Sequence, residues 1–157
     1  MLMINGVYEC KADAKGRVAI PAPLKKQLQS ILDQGFILKR SVFQPCLELF
    51  PNAAWKGVMD KVGHLNRFVK KHNDFIRLYS AGIKQVDLDG NARLLIPKDL
   101  LEYSGIRSEV VMASAVDIIE IWDKAAYERS LKEGADNFGD LAEEVMGAMQ
   151  FGGGDVS

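Results

Sequence analysis

Two short segments of the chain place an aspartate four residues before an arginine, and both segments end in Ile-Pro. They are Asp13-Ala-Lys-Gly-Arg17-Val-Ala-Ile-Pro21 and, 76 positions later, Asp89-Gly-Asn-Ala-Arg93-Leu-Leu-Ile-Pro97. The planar guanidinium group of arginine offers two parallel donors, which suit a phosphate or the edge of a guanine. The aspartate can hold the turn by accepting backbone N–H groups, or it can orient the arginine as an ion-pair partner. The pattern therefore predicts a duplicated turn that presents Arg17 and Arg93 for binding.

The remaining residues of the two turns differ between the copies. Lys15 is suited to contact a phosphate, whereas its counterpart Asn91 can bond either a phosphate or a base edge. We therefore expect the first copy to hold a nucleic-acid backbone more tightly. Gly16 permits a positive φ, but Ala92 replaces it in the second copy, at a cost of about 1 kcal/mol if φ is positive there. Gly90 could instead carry the positive φ earlier in that turn.

A second match between the two halves follows the turns, at an offset of 72. Residues 47–55 and 119–127 share every apolar position and an identical glutamate. Two matched blocks in the same order indicate an internal duplication, with units at residues 6–55 and 83–127. A unit of that size rarely builds an adequate core alone. We therefore expect the halves to share a core with each other, with other subunits, or with both.

Short strands and helices alternate in the same order in both units. Alternating apolar residues predict the strands, and helical spacing of apolar residues predicts the helices. The predicted strands are residues 6–12, 17–20, 36–40, 46–50, 83–88, 93–96, 110–114 and 118–122. The predicted helices begin at Pro23, at Ala53 with Asn52 as the N-cap, at Leu65, at Pro97 and at Lys124.

These elements predict an α+β fold that is mainly β, with peripheral helices. Residues 56–82 form a helical connector in this prediction, and its segment 65–82 is the strongest helical stretch of the chain. Its apolar stripe is expected to pack between the two units. Residues 128–157 are expected to contain a C-terminal helix followed by an acidic, flexible tail that includes Gly152-Gly-Gly154.

The net charge of −1 conceals an uneven distribution. Residues 133–157 carry six acidic side chains and no lysine or arginine, which leaves residues 1–132 with 15 acidic and 20 basic residues. A basic body with an acidic tail is typical of proteins that bind nucleic acids, although a solvated body and tail would give the same count. The tail could compete with phosphates for the basic face, keep neighbouring assemblies apart, or serve only as a disordered solubilising segment.

Several classes of function lack support in the sequence. Cys10 and Cys46 lie in predicted strands without CxxC spacing, so we interpret them as reduced core thiols of a cytosolic protein. His64 and His72 have no cysteine nearby, and we predict no metal site. No apolar run is long enough to cross a bilayer, and no signal segment or catalytic motif is present. We therefore expect neither an enzyme nor a membrane protein, and no cofactor or small-molecule substrate.

The duplicated motifs resemble those of the MraZ family of bacterial regulators, which carry two SpoVT/AbrB-like swapped-hairpin units in one chain. The resemblance covers about residues 3–133. It rests on Asp13–Arg17 with its Lys-Gly, on Asp89–Pro97, on Arg77-Leu-Tyr-Ser-Ala-Gly82 and on Ile121-Trp122-Asp123. It implies two tandem AbrB-like β units that share a pseudo-twofold core. The replacement of glycine by Ala92 departs from the family pattern, so the pose of Arg93 is less well defined than that of Arg17.

The same resemblance implies a DNA-binding transcription factor, generally a repressor, that acts on the division and cell-wall gene cluster. It also implies a ring-shaped homo-oligomer located in the cytoplasm with the nucleoid. We expect Arg17 and Arg93, assisted by Lys15, to contact double-stranded DNA. The residues expected to support the turns are Asp13, Gly16, Asp89 and Asn91. Because one turn touches few base pairs, linked copies should recognise short direct repeats in the chain's own promoter by avidity.

Two other readings remain open at the level of sequence. The chain could be a ring-forming interaction or structural protein without specific DNA recognition, using the apolar stripe of residues 65–79 and its basic rim at Lys70, Lys71 and Arg77. A single-unit AbrB-type antitoxin would share the DNA chemistry, but two units and a tail poor in aromatic residues argue against it.

Overall fold

The computed structural model describes residues 2–156, and it describes side chains for residues 2–149. Within this range the chain forms eight strands, six α-helices and one 3-10 helix. The strands are β1 (Val7–Lys11), β2 (Arg17–Ala19), β3 (Phe36–Arg40), β4 (Leu47–Pro51), β5 (Lys84–Val86), β6 (Arg93–Leu95), β7 (Glu109–Ala115) and β8 (Ile118–Asp123). The helices are α1 (Ala22–Leu28), α2 (Asn52–Val62), α3 (Lys70–Tyr79), α4 (Lys98–Ser104), α5 (Lys124–Ala135) and α6 (Phe138–Val156), and the 3-10 helix is Gln29–Gln34.

The strands form two antiparallel sheets, and in each sheet the duplication relates one half to the other half. The larger sheet has the order β1-β7-β8-β4-β3-β5, and the smaller sheet is a ribbon of β2 and β6. When each strand of the larger sheet is replaced by its equivalent in the other repeat, the same strand order is obtained in reverse. At the centre of the ribbon Val18 faces Leu94, its counterpart at an offset of 76. At the centre of the larger sheet Glu48 faces Glu120, at an offset of 72. A single pseudo-twofold axis therefore passes through both sheets.

Each repeat lends its first strand to the hairpin of the other repeat. In the pairing of β1 with β7, Cys10 faces Val110. In the equivalent pairing of β5 with β3, Val86 faces Phe36. These registers relate equivalent residues of β3 and β7 by an offset of 74 positions. The corresponding offset is 76 positions for the two ribbon strands and 72 positions for β4 and β8. Neither repeat builds its sheet alone, so the swapped units and shared core expected from the sequence are confirmed.

One apolar core joins the larger sheet, the ribbon and the helices α1 and α4. Ten of its eighteen buried residues lie in strands and three lie in helices, so the core is mainly β. Val18 and Leu94 are fully buried in it, as are Leu47 and Leu49 of the central strand β4. Burying a side chain of this size contributes about 1.5–3 kcal/mol. Because strand residues alternate between faces, Glu48 points to the opposite face of the sheet.

The opposite face of the sheet carries aromatic residues from α2 and α3. The ring centre of Phe50 lies 5.1 Å from that of Trp55 in an edge-on arrangement, and Trp55 stacks on Tyr79 at 6.0 Å. The buried Lys39 places Nζ 4.2 Å from the Tyr79 ring centre and 3.7 Å from a carboxylate oxygen of Glu48. These contacts fix α2 and α3 on this face, although neither helix contains a fully buried residue.

Several helix boundaries differ from those predicted by sequence. The strongest predicted helix begins at Lys70 rather than Leu65, because the Asn66 side chain accepts the Phe68 N–H at 3.0 Å and closes a turn. Pro51, rather than Asn52, occupies the N-cap position of α2. The Asn52 amide donates instead to the carbonyl of Gln34. The helix predicted from Pro23 is divided into α1 and the 3-10 helix.

Residues 125–157 form a compact unit separate from residues 1–124. This unit contains α5 beyond Lys124 and the long helix α6. The composition of Gly152-Gly-Gly154 predicts a flexible tail, whereas the backbone of α6 continues to Val156. Nothing in the sequence explains this continuation. The side chains of that glycine-rich end lie outside the described residues.

Candidate nucleic-acid interface

The first Asp–Arg turn is organised around the Asp13 carboxylate. Its Oδ1 accepts the backbone N–H groups of Lys15 and Arg17, both at 2.9 Å, and its Oδ2 accepts Arg17 Nε at 2.7 Å. The backbone closes the same turn, because Gly16 N–H donates to the Asp13 carbonyl at 3.0 Å. The sequence left open whether the aspartate holds the turn or orients the arginine. The structure shows that one carboxylate does both.

The second turn repeats this arrangement atom for atom. Asp89 Oδ1 accepts the N–H groups of Asn91 and Arg93, both at 2.9 Å, and Oδ2 accepts Arg93 Nε at 2.8 Å. Ala92 N–H donates to the Asp89 carbonyl at 2.9 Å, as Gly16 N–H does in the first turn. The replacement of glycine therefore leaves the orientation of Arg93 unchanged.

The two turns differ in how easily the residue before the arginine adopts its conformation. Gly16 has φ 84° and Ala92 has φ 55°, so both residues lie in the left-handed region. For alanine this conformation costs about 1–2 kcal/mol. Gly90 does not have a positive φ, so the alternative that it relieves the turn is wrong. The Asp89 bonds dictate the same backbone path as in the first turn, and Ala92 adopts the strained conformation.

The ribbon places both arginines on one face. Val18 and Leu94 face each other and are fully buried, so their neighbours in β2 and β6 point outward. Arg17 and Arg93 are among those neighbours, on diagonally related positions of the two strands. The Cα atoms of residues related in this way are about 7–8 Å apart. The structure thus brings together two residues that are 76 positions apart in the sequence.

Each turn is bonded to the strand of the other repeat. Ile96 N–H donates to the Gly16 carbonyl at 2.9 Å, and Ile20 N–H donates to the Ala92 carbonyl at 3.0 Å. The residues that present the two arginines are therefore held by bonds across the pseudo-twofold axis. A ribbon closed at both ends in this way is a stiff support for the side chains on its outer face.

The electrostatics of the turns keep the carboxylates ionised. The pKa of Asp13 is lowered chiefly by the backbone N–H of Arg17, and that of Asp89 chiefly by the backbone N–H of Arg93. Each carboxylate uses only the Nε edge of its arginine. Within the described part of the chain, the terminal Nη groups of Arg17 and Arg93 form no hydrogen bonds. These groups remain available to a ligand, and both side chains are about one third exposed.

The outer face contains further residues that the sequence analysis did not single out. Leu95 lies opposite Arg17 and is 55% exposed, and Ala19 lies opposite Arg93. Both could be recognised from the period of two once Val18 is identified as buried. Lys15 and Asn91 lie at the exposed tips of the two turns, as the sequence predicts. The face therefore combines cationic groups with small apolar surfaces.

No competing site is apparent elsewhere in residues 2–149. These residues contain no cluster of three or more histidine, cysteine or acidic side chains that could hold a metal ion. Burial raises the pKa of the Cys10 thiol to about 11 and that of the Cys46 thiol to about 12. A protonated, buried thiol is a poor nucleophile. Among the described helices, none has the length and apolar character required to cross a bilayer.

The fold and the ribbon define a protein of tandem AbrB-like swapped-hairpin units with a doubled Asp–Arg turn. The family described as "MraZ protein, putative antitoxin-like" matches residues 3–78 and 80–147, and the chain belongs to this family. These two matches extend beyond the β units, the first through α2 and nearly all of α3 and the second through α5 and the first part of α6. The helices are thus part of the repeat.

Curated relatives match over nearly their full length. "Transcriptional regulator MraZ" of Christiangramia forsetii is 54% identical over 153 residues, which cover 98% of this chain and 99% of the relative. The protein of the same name from Flavobacterium psychrophilum is 55% identical over 147 residues, or 94% of each chain. That of Bacteroides fragilis is 39% identical over 93% of this chain and 92% of its own. The relatives are named as transcriptional regulators, not as enzymes.

Proposed function

We propose that the chain is a transcriptional regulator that binds double-stranded DNA through the outer face of the β2–β6 ribbon. The observation that carries this proposal is the pair of matched turns, which hold Arg17 and Arg93 on one face with their Nη groups free. The naming of its relatives as transcriptional regulators supports the same function. Such a protein acts in the cytoplasm, at the nucleoid.

The residues of the ribbon have distinct roles in this proposal. The free Nη groups of each arginine donate to guanine O6 and N7 or to a phosphate. Lys15 contacts a phosphate, and Asn91 contacts a phosphate or a base edge. Leu95 provides an apolar contact for a thymine methyl group. A two-stranded ribbon fits a major groove about 12 Å wide, so both arginines can enter the same groove.

One ribbon spans only a few base pairs, so specific binding requires several linked copies. We propose a ring-shaped homo-oligomer whose ribbons meet short direct repeats at regular spacing in the chain's own promoter. Linkage raises the effective concentration of each further ribbon, and affinity rises without new contacts. The proposed targets are genes for division and cell-wall synthesis, and the proposed action is repression.

The test is fluorescence anisotropy with the chain's own promoter region over a salt series. Arg17→Ala and Arg93→Ala should each weaken binding by roughly 5- to 150-fold, because each removes a bidentate pair of hydrogen bonds worth about 1–3 kcal/mol. Arg77→Ala is the matched control, because Arg77 is also paired with an aspartate, at 2.7 Å from Asp74, but lies in α3. Equal weakening in all three variants, or weakening only in Arg77→Ala, would refute the ribbon as the DNA-binding surface.

The spacing of the DNA repeats provides a second test. Moving one repeat by half a helical turn places it on the other side of the duplex, out of reach of a second ribbon in the same ring. Binding should then fall toward the affinity of a single repeat, and it should decrease steeply with salt in every case. Undiminished binding to the shifted promoter would contradict recognition of several repeats by one assembly.

A further inference from the structure

The helices that leave the ribbon, α1 and α4, are equivalent at the same offset of 76 as the two turns. Pro21 precedes α1 with φ −55° and ψ 140°, and Pro97 precedes α4 with φ −60° and ψ 152°. Lys25 N–H donates to the Pro21 carbonyl at 2.8 Å. In the same way, Leu101 N–H donates to the Pro97 carbonyl at 3.0 Å. A contact at one end of the ribbon therefore has a defined counterpart at the other end.

The first turn shows which residue of the opposite repeat lies against it. A Cβ atom on Gly16 would lie 2.9 Å from Leu101 Cδ1, so helix α4 of the second repeat packs on the turn of the first. At an offset of 76 the counterpart of Gly16 is Ala92, and that of Leu101 is Lys25. Ala92 is only 7% exposed, so its methyl group is covered. The pseudo-twofold axis makes Lys25 the residue in the covering position.

The position of Lys25 on α1 agrees with this equivalence. The buried side chains Leu24 and Leu28 define the side of α1 that faces the core. With about 3.6 residues per turn, Lys25 and Gln27 lie on opposite flanks of the helix, and Lys26 points away from the core. The Gln27 side chain bonds the backbone that leads into β1. The Lys25 flank is therefore left to face the second turn.

This exchange of leucine for lysine gives each end of the ribbon one lysine. The first end has Lys15 at the tip of its turn and the apolar Leu101 beside it. At the second end the tip is Asn91, and the residue in the place of Leu101 is Lys25. Both lysines belong to the first repeat. Lys25 is exposed, and none of the residues with described side chains forms an ion pair with it.

We propose that Lys25 is a DNA-binding residue whose stem covers Ala92 and whose ammonium group contacts a phosphate beside Asn91. The inference rests on the proposed function, and it adds a helical residue to a surface otherwise built from the ribbon and its turns. Lysine suits both tasks, because its stem packs along apolar surface while its charged end remains in water. Phosphate contacts of this kind fix the register and orientation of a protein on the duplex.

The same arrangement accounts for glycine in one turn and alanine in the other. The branched side chain of Leu101 leaves no room for a methyl group on Gly16. The stem of Lys25 is unbranched and flexible, so it can accommodate the methyl group of Ala92. Both members of the pair differ between the repeats, as expected of two residues in contact.

The first test separates the charge of Lys25 from its stem. Lys25→Met retains an unbranched stem without the charge, so it should reduce the slope of log affinity against log salt by about 0.9, the value for one phosphate. The control is Lys26→Met, which removes the same charge from the outward side of the same helix and should leave the slope unchanged. Fluorescence anisotropy with promoter DNA measures both. Equal reductions in the two variants would overturn the phosphate contact, because loss of net charge alone would then explain them.

The second test examines the contact with Ala92 without DNA. Lys25→Ala removes the stem, so it should lower the urea midpoint of unfolding more than Lys26→Ala, which changes helix propensity equally. In the background of Ala92→Gly no methyl group remains to be covered, and the difference between the two lysine variants should shrink. A difference that is the same in both backgrounds would overturn the contact.

The outcomes distinguish this inference from the proposed function. A wild type without affinity for promoter DNA would refute the proposed function and the phosphate contact together. Weakened binding in Arg17→Ala and Arg93→Ala with an unchanged slope in Lys25→Met would overturn the phosphate contact alone. A reduced slope in Lys25→Met, together with coupling between Lys25 and Ala92, would support both parts of the inference.

Discussion

The two Asp–Arg turns and the two helical segments were duplicated together but have diverged to very different extents. The Asp–Arg distances in the turns are 2.7 and 2.8 Å, and the other matched bonds agree as closely. The helical segments that follow the β units, residues 56–82 and 128–157, instead differ in net charge by nine, from +4 to −5. The turns lie together on the outer face of the pseudo-twofold ribbon, so in the proposed function both copies face the same DNA. The helical segments lie outside the ribbon and are free of that constraint.

A single substitution in the ribbon should lower the stability of both repeats more than a substitution in any other part of the molecule. Leu94→Ala removes a fully buried side chain from the pseudo-twofold axis, and it should lower the free energy of unfolding by about 2–5 kcal/mol. Denaturation followed by circular dichroism measures this change. Leu95→Ala, at a side chain that is 55% exposed, should change stability by only about 0.5 kcal/mol. Similar destabilisation by both substitutions would show that the ribbon is not the core element that its burial indicates.

The conformational difference between the turns predicts an unequal response to exchanging glycine and alanine. A Cβ atom on Gly16 would lie 2.8 Å from the Ile96 carbonyl oxygen and 2.9 Å from Leu101 Cδ1, so Gly16→Ala should destabilise the protein by about 1–3 kcal/mol. Ala92→Gly relieves a strained φ. It also removes a buried methyl group and raises the conformational entropy of the unfolded chain, so the net change in the free energy of unfolding should lie within about 1 kcal/mol. Thermal unfolding of both variants measures the difference. Equal and opposite changes would mean that the neighbours of the two turns are equivalent.

The tips of the turns differ by one positive charge, and exchanging their residues should move that charge. Lys15→Asn makes the first tip resemble the second, and it should reduce the slope of log affinity against log salt by about 0.9 for each phosphate that the lysine neutralises. Asn91→Lys should increase the slope by a similar amount. The measurement is the anisotropy salt series with promoter DNA. An unchanged slope in Lys15→Asn would show that Lys15 does not bind a phosphate.

Much of the ribbon could be predicted from the sequence, because its determinants are local. Asp13 and Arg17 are close enough along the chain to specify their own turn, and the repetition at Asp89 and Arg93 identifies the pair as one site. The exposed position of Leu95 follows from the period of two only once the residue before it, Leu94, is known to be buried. It depends on the pairing of β2 with β6 across the pseudo-twofold axis, and those strands are far apart in the sequence.

The helices were predicted less accurately because side-chain bonds and tertiary contacts decide their ends. The apolar spacing of residues 65–79 favours one helix, but the Asn66 side chain bonds the backbone two residues later and delays the start to Lys70. Asn52 has the composition of an N-cap, yet its amide is used by the carbonyl of Gln34, which is distant in sequence. The exposure of Phe75 likewise depends on which surface the shared core leaves uncovered, and no local pattern in the sequence indicates it.

The smallest expected effect concerns acid stability, and it tests how closely the turns match. Both Asp13 and Asp89 have a pKa lowered from 3.8, chiefly by the backbone N–H of the arginine in the same turn. A group whose pKa is lower in the folded state stabilises the fold fully above its unfolded pKa. That contribution disappears as the pH falls through the folded value. The stability from these groups should therefore be constant near neutral pH and should decline below about pH 3.8.

The variants Asp13→Asn and Asp89→Asn separate the two contributions. An amide retains an acceptor oxygen for the backbone N–H groups but has no charge to titrate, so each variant should flatten the acid limb of the unfolding free energy. The matched bonds predict equal flattening, and urea denaturation at successive pH values between 2 and 7 would measure it (roughly the window of acid unfolding). Unequal flattening would mean that the divergence seen in the helices also reaches the turns. In that case Arg17 and Arg93 would not be equivalent in orienting toward DNA.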